Sequence, residues 1–349
     1  MKRNSRFKLF IVLISLTFLC GCWNIKEINH RTTPLYIGVS KENDDEYIVT
    51  MYVPVTQSGE SESIIATKKG DTLSNIFRQL RTDSDSALDY SHVQLIVIQE
   101  KLAENEEEMT KLIRLSMAVE QLPSQALVVI TDDDIKKMFS NIDKLLGTHG
   151  TYVQEFFYKE EWAPEVSSTH IWELYRSLYS YTEDINVPII TIDKDTGIGF
   201  KGTAIFKKGK LTGRVNPKEN LLLNLFHHDN AKGEIESLGS SGVIVLNSSL
   251  YMTPSMKKNE PLVSCDLKIK IDVIERNDGV TDKQIQGEFK ELIEKQFYKI
   301  FTQTQENKAD VFGFGQYFRN QLSYQELKKW RDEYYPKLKV NFQVHVSMK

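Results

Sequence analysis

Between positions 71 and 80, apolar residues recur at Leu73, Ile76, Phe77 and Leu80. This is the i, i+3, i+4, i+7 spacing of a helix that buries one face, and Asp71 stands where an N-cap would open it. β-branched and aromatic residues over 47–55 predict a strand before that helix, and 93–99 predicts another after it. The acidic run 104–108 feeds Met109, Leu112, Ile113, Leu115 and Met117, a second helical stripe whose positive N-terminal end would face carboxylates. A continuous apolar run over 126–130 has the length of a buried strand, and Asp132, Asp133 and Asp134 begin the helix after it. Alternation of this kind predicts a first α/β layer unit.

From 147 to 190 the chain is rich in Tyr, Trp and Glu. It reads as a linking region with a helix over 169–179 and a break at Pro188. A hairpin follows, 199–206 and 210–215 around Lys207, Lys208 and Gly209, and then Asn216 and Pro217 at the N-cap and N1 positions of a short helix through Leu221, Leu222 and Leu225. Strands are predicted over 242–246 and 262–274. Thr281 and Gln284 form a capping box for a long helix whose stripe is Ile285, Phe289, Leu292, Ile293, Phe297, Ile300 and Phe301. A helix over 321–330 and a final strand over 339–346 complete the pattern. No fixed-period repeat is visible and no low-complexity tract separates the units, so the domains are expected to pack closely through short linkers.

The 349 residues are 40% hydrophobic and 26% charged, ordinary values for a globular chain and too hydrophobic for disorder. Four of the 44 basic residues, Lys2, Arg3, Arg6 and Lys8, and none of the 48 acidic ones lie in the first 21 positions, which leaves an acidic body. An acidic body argues against binding a phosphate backbone, so no nucleic-acid partner is expected. The basic start runs into an apolar stretch over 9–19, too short to span a bilayer but long enough for the core of an export signal.

Leu19, Gly21 and Cys22 after that stretch resemble the lipobox of bacterial lipoproteins. The resemblance implies cleavage between Gly21 and Cys22 and a diacylglyceryl group on the Cys22 sulfur; two acyl chains anchor stably where one does not. With Cys20 removed and Cys22 acylated, Cys265 is alone and cannot form an intramolecular disulfide. Its alternating surroundings predict a buried structural thiol. The fold class expected is α+β with α/β character, as three compact mixed α/β domains after a cleaved lipoprotein signal peptide. The boundaries are 1–21 for the signal, 22–146 for an N-terminal α/β domain, 147–231 for a middle domain with the hairpin and linking region, and 232–349 for a C-terminal α+β domain with the long helix.

The sequence offers no catalytic constellation, no metal site and no cofactor site. Gly197, Gly199 and Gly202 match G-x-G-x-x-G by letters, but a strand follows them where a dinucleotide site needs a helix. Asp193 to Gly197 looks like a calcium-loop fragment, yet Ala204 stands where the bidentate Glu is required. Gly239, Ser240, Ser241 and Gly242 do not complete a nucleophile elbow. His227 and His228 suit a helix end, where imidazolium complements the dipole, and His92 reads as a hydrogen-bonding residue opening its strand. A hydrolase would require His92 or the His227–His228 pair beside carboxylates in a cleft.

Several pieces in order resemble the Ger(x)C family, the C-subunit lipoproteins of spore germinant receptors. They are Gly21-Cys22-Trp23-Asn24 with Glu27-Ile28-Asn29; His92-Val93-Gln94-Leu95-Ile96-Val97-Ile98 with Glu100-Lys101-Leu102-Ala103; and Gly202-Thr203-Ala204-Ile205-Phe206-Lys207 continuing to Lys210-Leu211-Thr212-Gly213. Asp310-Val311-Phe312-Gly313-Phe314-Gly315 follows, then Trp330, Tyr335-Pro336 and the strand over 340–346. Asn24 replaces the usual Asp, and positions 31–34 are less apolar than the family pattern. The resemblance implies a non-enzymatic, lipid-anchored subunit on the outer face of the spore's inner membrane. It would act with a polytopic A subunit and a transporter-like B subunit to trigger germination. The alternative is a lipid-anchored solute-binding protein, which would need a concave pocket between domains.

Overall fold

The computed structural model describes residues 31–43, 46–57, 60–84, 86–119, 121–146, 156–157, 166–227, 231–258 and 260–349. The expected signal peptide, the Gly21–Cys22 cleavage point and His228 lie outside them.

The strands in chain order are β1 (Arg31–Thr32), β2 (Tyr36–Asn43), β3 (Glu46–Gln57), β4 (Glu60–Gly70), β5 (Ala87–Leu88), β6 (Leu95–Gln99), β7 (Leu127–Thr131), β8 (Ile185–Asp193), β9 (Gly197–Lys207), β10 (Lys210–Val215), β11 (Ile235–Ser237), β12 (Ser241–Lys257), β13 (Glu260–Arg276) and β14 (Lys339–Met348). The helices are α1 (Leu73–Asp83), α2 (Glu100–Ala103), α3 (Glu106–Ala118), α4 (Ile135–Leu146), α5 (Ile171–Tyr179), α6 (Asn220–Phe226), α7 (Asp282–Glu306), α8 (Phe314–Tyr317) and α9 (Tyr324–Leu327). The mixed α/β class expected from the sequence is what these elements build.

An eight-stranded sheet runs in the order β10-β9-β8-β7-β6-β2-β3-β4. Its centre, β2, β6, β7 and β8, is parallel, and antiparallel hairpins flank it on both sides. Helices cover both faces. Leu73 and Ile76 of α1, Met109 and Leu112 of α3 and Ile171 of α5 share one core; Ile135, Met138 and Phe139 of α4 pack on the other face with Tyr36 and Tyr52. Cover on both sides explains why β7 is apolar from Leu127 to Ile130 and has all five residues buried, Thr131 included.

The C-terminal unit is a four-stranded sheet, β11-β12-β13-β14, with α7 packed across one face. Along β13 the odd positions Val263, Cys265, Leu267, Ile269 and Ile271 are buried, while Ser264, Lys268 and Lys270 are exposed. α7 opens with the Thr281–Gln284 capping box and buries every residue of its predicted stripe except the half-buried Leu292. Phe297 stacks on Phe342 with ring centroids 4.1 Å apart, in a cluster that includes Phe226, Phe301, Phe312 and Phe314. Cys265 lies in this core, and burial pushes its thiol up to about 12, so it stays protonated and inert.

Several expectations are corrected. The hairpin placed at the heart of a middle domain is the edge of the large sheet, and α6 joins the C-terminal core, so residues on both sides of the 146/147 boundary share one sheet. Ile205 and Val215 face the C-terminal core while Ala204 and Phe206 face the first, so β9 belongs to both. Pro188 does not break the chain. It sits inside β8, where the ladder to β7 is confined to Ile130–Ile189 and a register shift follows, so little pairing is lost with its N–H. The cap of α1 is Thr72, whose hydroxyl accepts from Asn75 N, and not Asp71. His92 closes a short 3-10 turn (Tyr90–His92) and does not open β6. The helix expected over 321–330 is the short α9, capped by Ser323, followed by a π turn over Trp330–Tyr334.

Candidate functional site

Two places concentrate ionic chemistry. The first is the seam between the two sheets. After α7 the chain turns through Lys308, at φ 53°, into the loop carrying Asp310, while residues 180–184 arrive from the end of α5. Asp184 N donates to Asp310 O at 2.9 Å, and Asp310 N donates to Asp184 Oδ2 at 2.9 Å. Arg331 closes the seam with a two-pronged contact on Asp184, Nε to Oδ2 at 2.8 Å and Nη2 to Oδ1 at 2.7 Å, and donates further to the carbonyls of Ser180 and Glu183. The Asp184 side chain has no exposed surface and that of Arg331 is 7% exposed. A buried guanidinium is tolerable when its donors are satisfied, as they are here.

Asp310 organises the adjoining turn. Its carboxyl accepts from Phe314 N at 3.0 Å, Gly315 N at 2.8 Å and Trp330 Nε1 at 2.8 Å. Complete burial pushes this carboxyl up to about 7 and the Asp184 charge adds to the rise, while the three donated hydrogen bonds pull the other way. Gly313 holds φ 66°, a left-handed conformation suited to glycine. A Cβ on Gly315 would lie 2.6 Å from Trp330 Nε1 and 2.8 Å from Thr182 O, so only glycine lets the turn reach both. The Asp310-to-Gly315 motif and Trp330 therefore have a structural reason: together they dock one sheet onto the other. A second strip of contacts runs beside them, with Asn307 Nδ2 donating to Thr212 O, Gln303 Nε2 to Arg214 O, Lys207 Nζ to Asn307 O and Gln296 Nε2 to Lys218 O.

The second place is a cleft of about 900 Å³ between α1 and the end of α3. Its floor is Phe77, Leu88, Tyr90 and Leu115, and Arg31, Arg78 and Arg81 stand around it. Arg31 Nη1 donates to Asp89 Oδ2 at 2.7 Å. Hydrogen bonds from Ser91, helped by Arg31, hold the Asp89 carboxyl down at about 2. Tyr90 is 3% exposed, its ring meets Phe77 edge-on at 5.7 Å, and its hydroxyl finds no hydrogen-bond partner among the described residues. Burial pushes the phenol up to about 12, with the Arg81 charge opposing.

The sequence candidates do not converge on either place. His92 is exposed, with Nδ1 3.1 Å from Ser91 Oγ, and His227 caps α6 with its Nε2 accepting from Asn186 Nδ2 at 2.9 Å. Gly197, Gly199 and Gly202 lie on β9, in a strand and not in a phosphate loop. Asp193 caps the β8–β9 turn, accepting from Asp195 N, Thr196 N and Thr196 Oγ1, which lowers its carboxyl. Asp133 reaches across the sheet to Thr191 Oγ1 and Ile192 N, and Asp134 caps α4 through Lys137 N. No group of three His, Cys, Asp or Glu residues suited to a metal ion occurs among the described residues, and none of their helices is long and apolar enough to cross a membrane. Sequence reasoning missed Arg78, Arg81 and Tyr90, although an Arg pair at i, i+3 beside the α1 stripe is a visible signal. It also missed the pairing of Asp184 with Arg331, 147 positions apart, for which the sequence carries none.

Comparison with known proteins matches most of the chain. Residues 24–192 match the spore germination protein N-terminal domain, and residues 201–349 match the spore germination B3/GerAC-like C-terminal domain. Spore germination protein KC of Bacillus subtilis (strain 168) is 21% identical over 95% of this chain and 92% of its own length. Spore germination protein B3 of the same organism is 27% identical over 30% of this chain and 29% of its own. The crystal structure of the GerBC protein superposes with a TM-score of 0.57 at 14% identity, covering 89% of this chain and 96% of that one, and so shares the fold. With both of its halves matched in order, the chain belongs to the GerAC-like, Ger(x)C family of spore germination proteins.

Proposed function

We propose that this chain is the lipid-anchored C subunit of a spore nutrient germinant receptor, a non-enzymatic component held through Cys22 on the outer face of the spore's inner membrane. It would act there with the A and B membrane subunits to trigger germination. The observation that carries the reading is the consecutive match of both germination-protein domains over 24–192 and 201–349. Supporting it, the two most buried carboxylates, Asp184 and Asp310, are engaged in docking the sheets. A docked pair of sheets is a body suited to presenting surfaces. A tether at Cys22 would raise the effective concentration of those surfaces beside partners in the same membrane. Replacing Cys22 with Ala is expected to move the protein from the membrane to the soluble fraction of broken spores and to slow germination through the receptor. Unchanged germination with a soluble subunit would contradict the anchoring role.

The solute-binding alternative placed its pocket between domains. The seam is occupied at Asp184 by buried side chains, and the cleft lined by Arg31, Arg78 and Arg81 lies within the first unit, between α1 and α3.

A further inference from the structure

We propose that the cleft between α1 and α3 binds a phosphate-bearing organic anion, with Arg78 and Arg81 receiving the phosphate, Tyr90 donating its hydroxyl and the apolar floor taking the adjoining carbon chain. Three observations converge on it. The first is charge: among the described residues three guanidiniums line the cleft against one carboxylate, Asp89, which is already engaged by Arg31 and Ser91. Arg78 donates to Asn75 Oδ1, and Arg81 has no ion-pair partner among the described residues, so both have donors to spare for an incoming oxyanion. The second is the Tyr90 hydroxyl. A buried O–H without a partner among the described residues is uncommon and calls for an explanation; an oxygen entering the cleft would satisfy it. The third is the floor. Phe77, Leu88, Leu115 and Val119 offer apolar surface that inorganic phosphate would leave unused, whereas an ester with a hydrocarbon or glycerol part would cover it.

The same chemistry is available from a membrane phospholipid and from a free phosphate ester. Placement favours the lipid. Arg31, on the cleft wall, is separated from Cys22 by eight residues, which span at most about 30 Å when fully extended, so an anchored Cys22 keeps the cleft close to headgroups. Only this choice of source rests on the anchoring reading; the site itself does not.

The test uses the mature chain, residues 22–349, produced without acylation, which contains every described element. Calorimetric titration compares dihexanoyl phosphatidylglycerol below its micelle concentration with sn-glycerol 3-phosphate. Saturable binding is expected, weakened at least about tenfold in Arg81→Gln and in Arg78→Gln, as loss of a charge-assisted hydrogen bond implies. Tyr90→Phe is expected to weaken binding several-fold while leaving the free protein's melting temperature unchanged or raised, because it removes a hydroxyl that has no partner; a purely structural tyrosine would do the opposite. Tighter binding of the lipid than of glycerol phosphate supports the headgroup source, and equal binding supports a free ester. No saturable binding of either probe, or binding indifferent to both arginine substitutions, would overturn the proposal. The probes form no membrane at these concentrations and the protein itself carries no acyl group, so the outcome is separate from whether Cys22 is acylated.

Discussion

Arg331 and Arg81 carry the same group in opposite circumstances. Arg331 is buried and divides its donors among Asp184, Ser180 O and Glu183 O. Arg81 is exposed at the last turn of α1, in the wall of an open cleft, with no ion-pair partner among the described residues. The contrast separates two uses of a cation. In the seam each of the three Arg331 nitrogens donates to the protein's own acceptors, so the guanidinium holds two sheets together and is not offered to a ligand. In the cleft the protein supplies donors and leaves the acceptors to come from outside. Burial alone, the usual pointer to a functional ionisable group, would select the first place, whereas unmet hydrogen-bonding capacity selects the second.

The contrast can be broken most forcefully at the seam. Arg331→Met should destabilise the protein by about 3–5 kcal/mol in urea unfolding, since it leaves the Asp184 charge buried without its partner. A loss under about 1 kcal/mol would mean that the seam is not what docks the sheets. Gly315→Ala should cost about 1–3 kcal/mol, because its Cβ meets Thr182 backbone and the Trp330 indole at less than contact distance.

pH provides a gentler probe. The folded-state Asp310 carboxyl sits at about 7, above its unfolded value, so the native chain keeps a proton that the unfolded chain has lost. Its contribution is therefore fully present below the ordinary carboxylate range and declines as pH rises from near 4 to about 7, by up to about 1.4 kcal/mol per unit. Asp310→Asn should flatten that slope when unfolding free energies are compared across the interval; an unchanged slope would assign the pH dependence to other groups. The smallest effect is expected in the cleft, where Arg81→Gln should change stability by no more than about 0.5 kcal/mol while weakening binding of the phosphate ester at least about tenfold.

Much of the secondary structure was legible because it rests on local periodicity. The α7 stripe, its Thr281 cap, the apolar run over 126–130 that forms most of β7 and the turn at Lys208 and Gly209 are all set within a few residues of sequence. What escaped depends on contacts between distant segments. β4, with the sequence ESESIIATKKG, has too little alternation to announce itself and is a strand because β3 pairs along its whole length, with Lys68 and Lys69 guarding the open edge. The middle domain dissolved for the same reason: hairpin β9–β10 is complete locally, but only β8 beside it shows which sheet it extends. The Asp310-to-Gly315 motif was visible as a resemblance, yet its meaning needed Asp184, Thr182 and Trp330 around it. The cleft needed α1 and α3 brought side by side by the sheet beneath them.

A C subunit of the proposed kind must be tethered at the membrane. The most direct check is the intact mass of the protein extracted from spore membranes. A chain beginning at Cys22 and heavier by a diacylglyceryl group is expected; a free thiol at Cys22, or a chain that still carries residues 1–21, would contradict it.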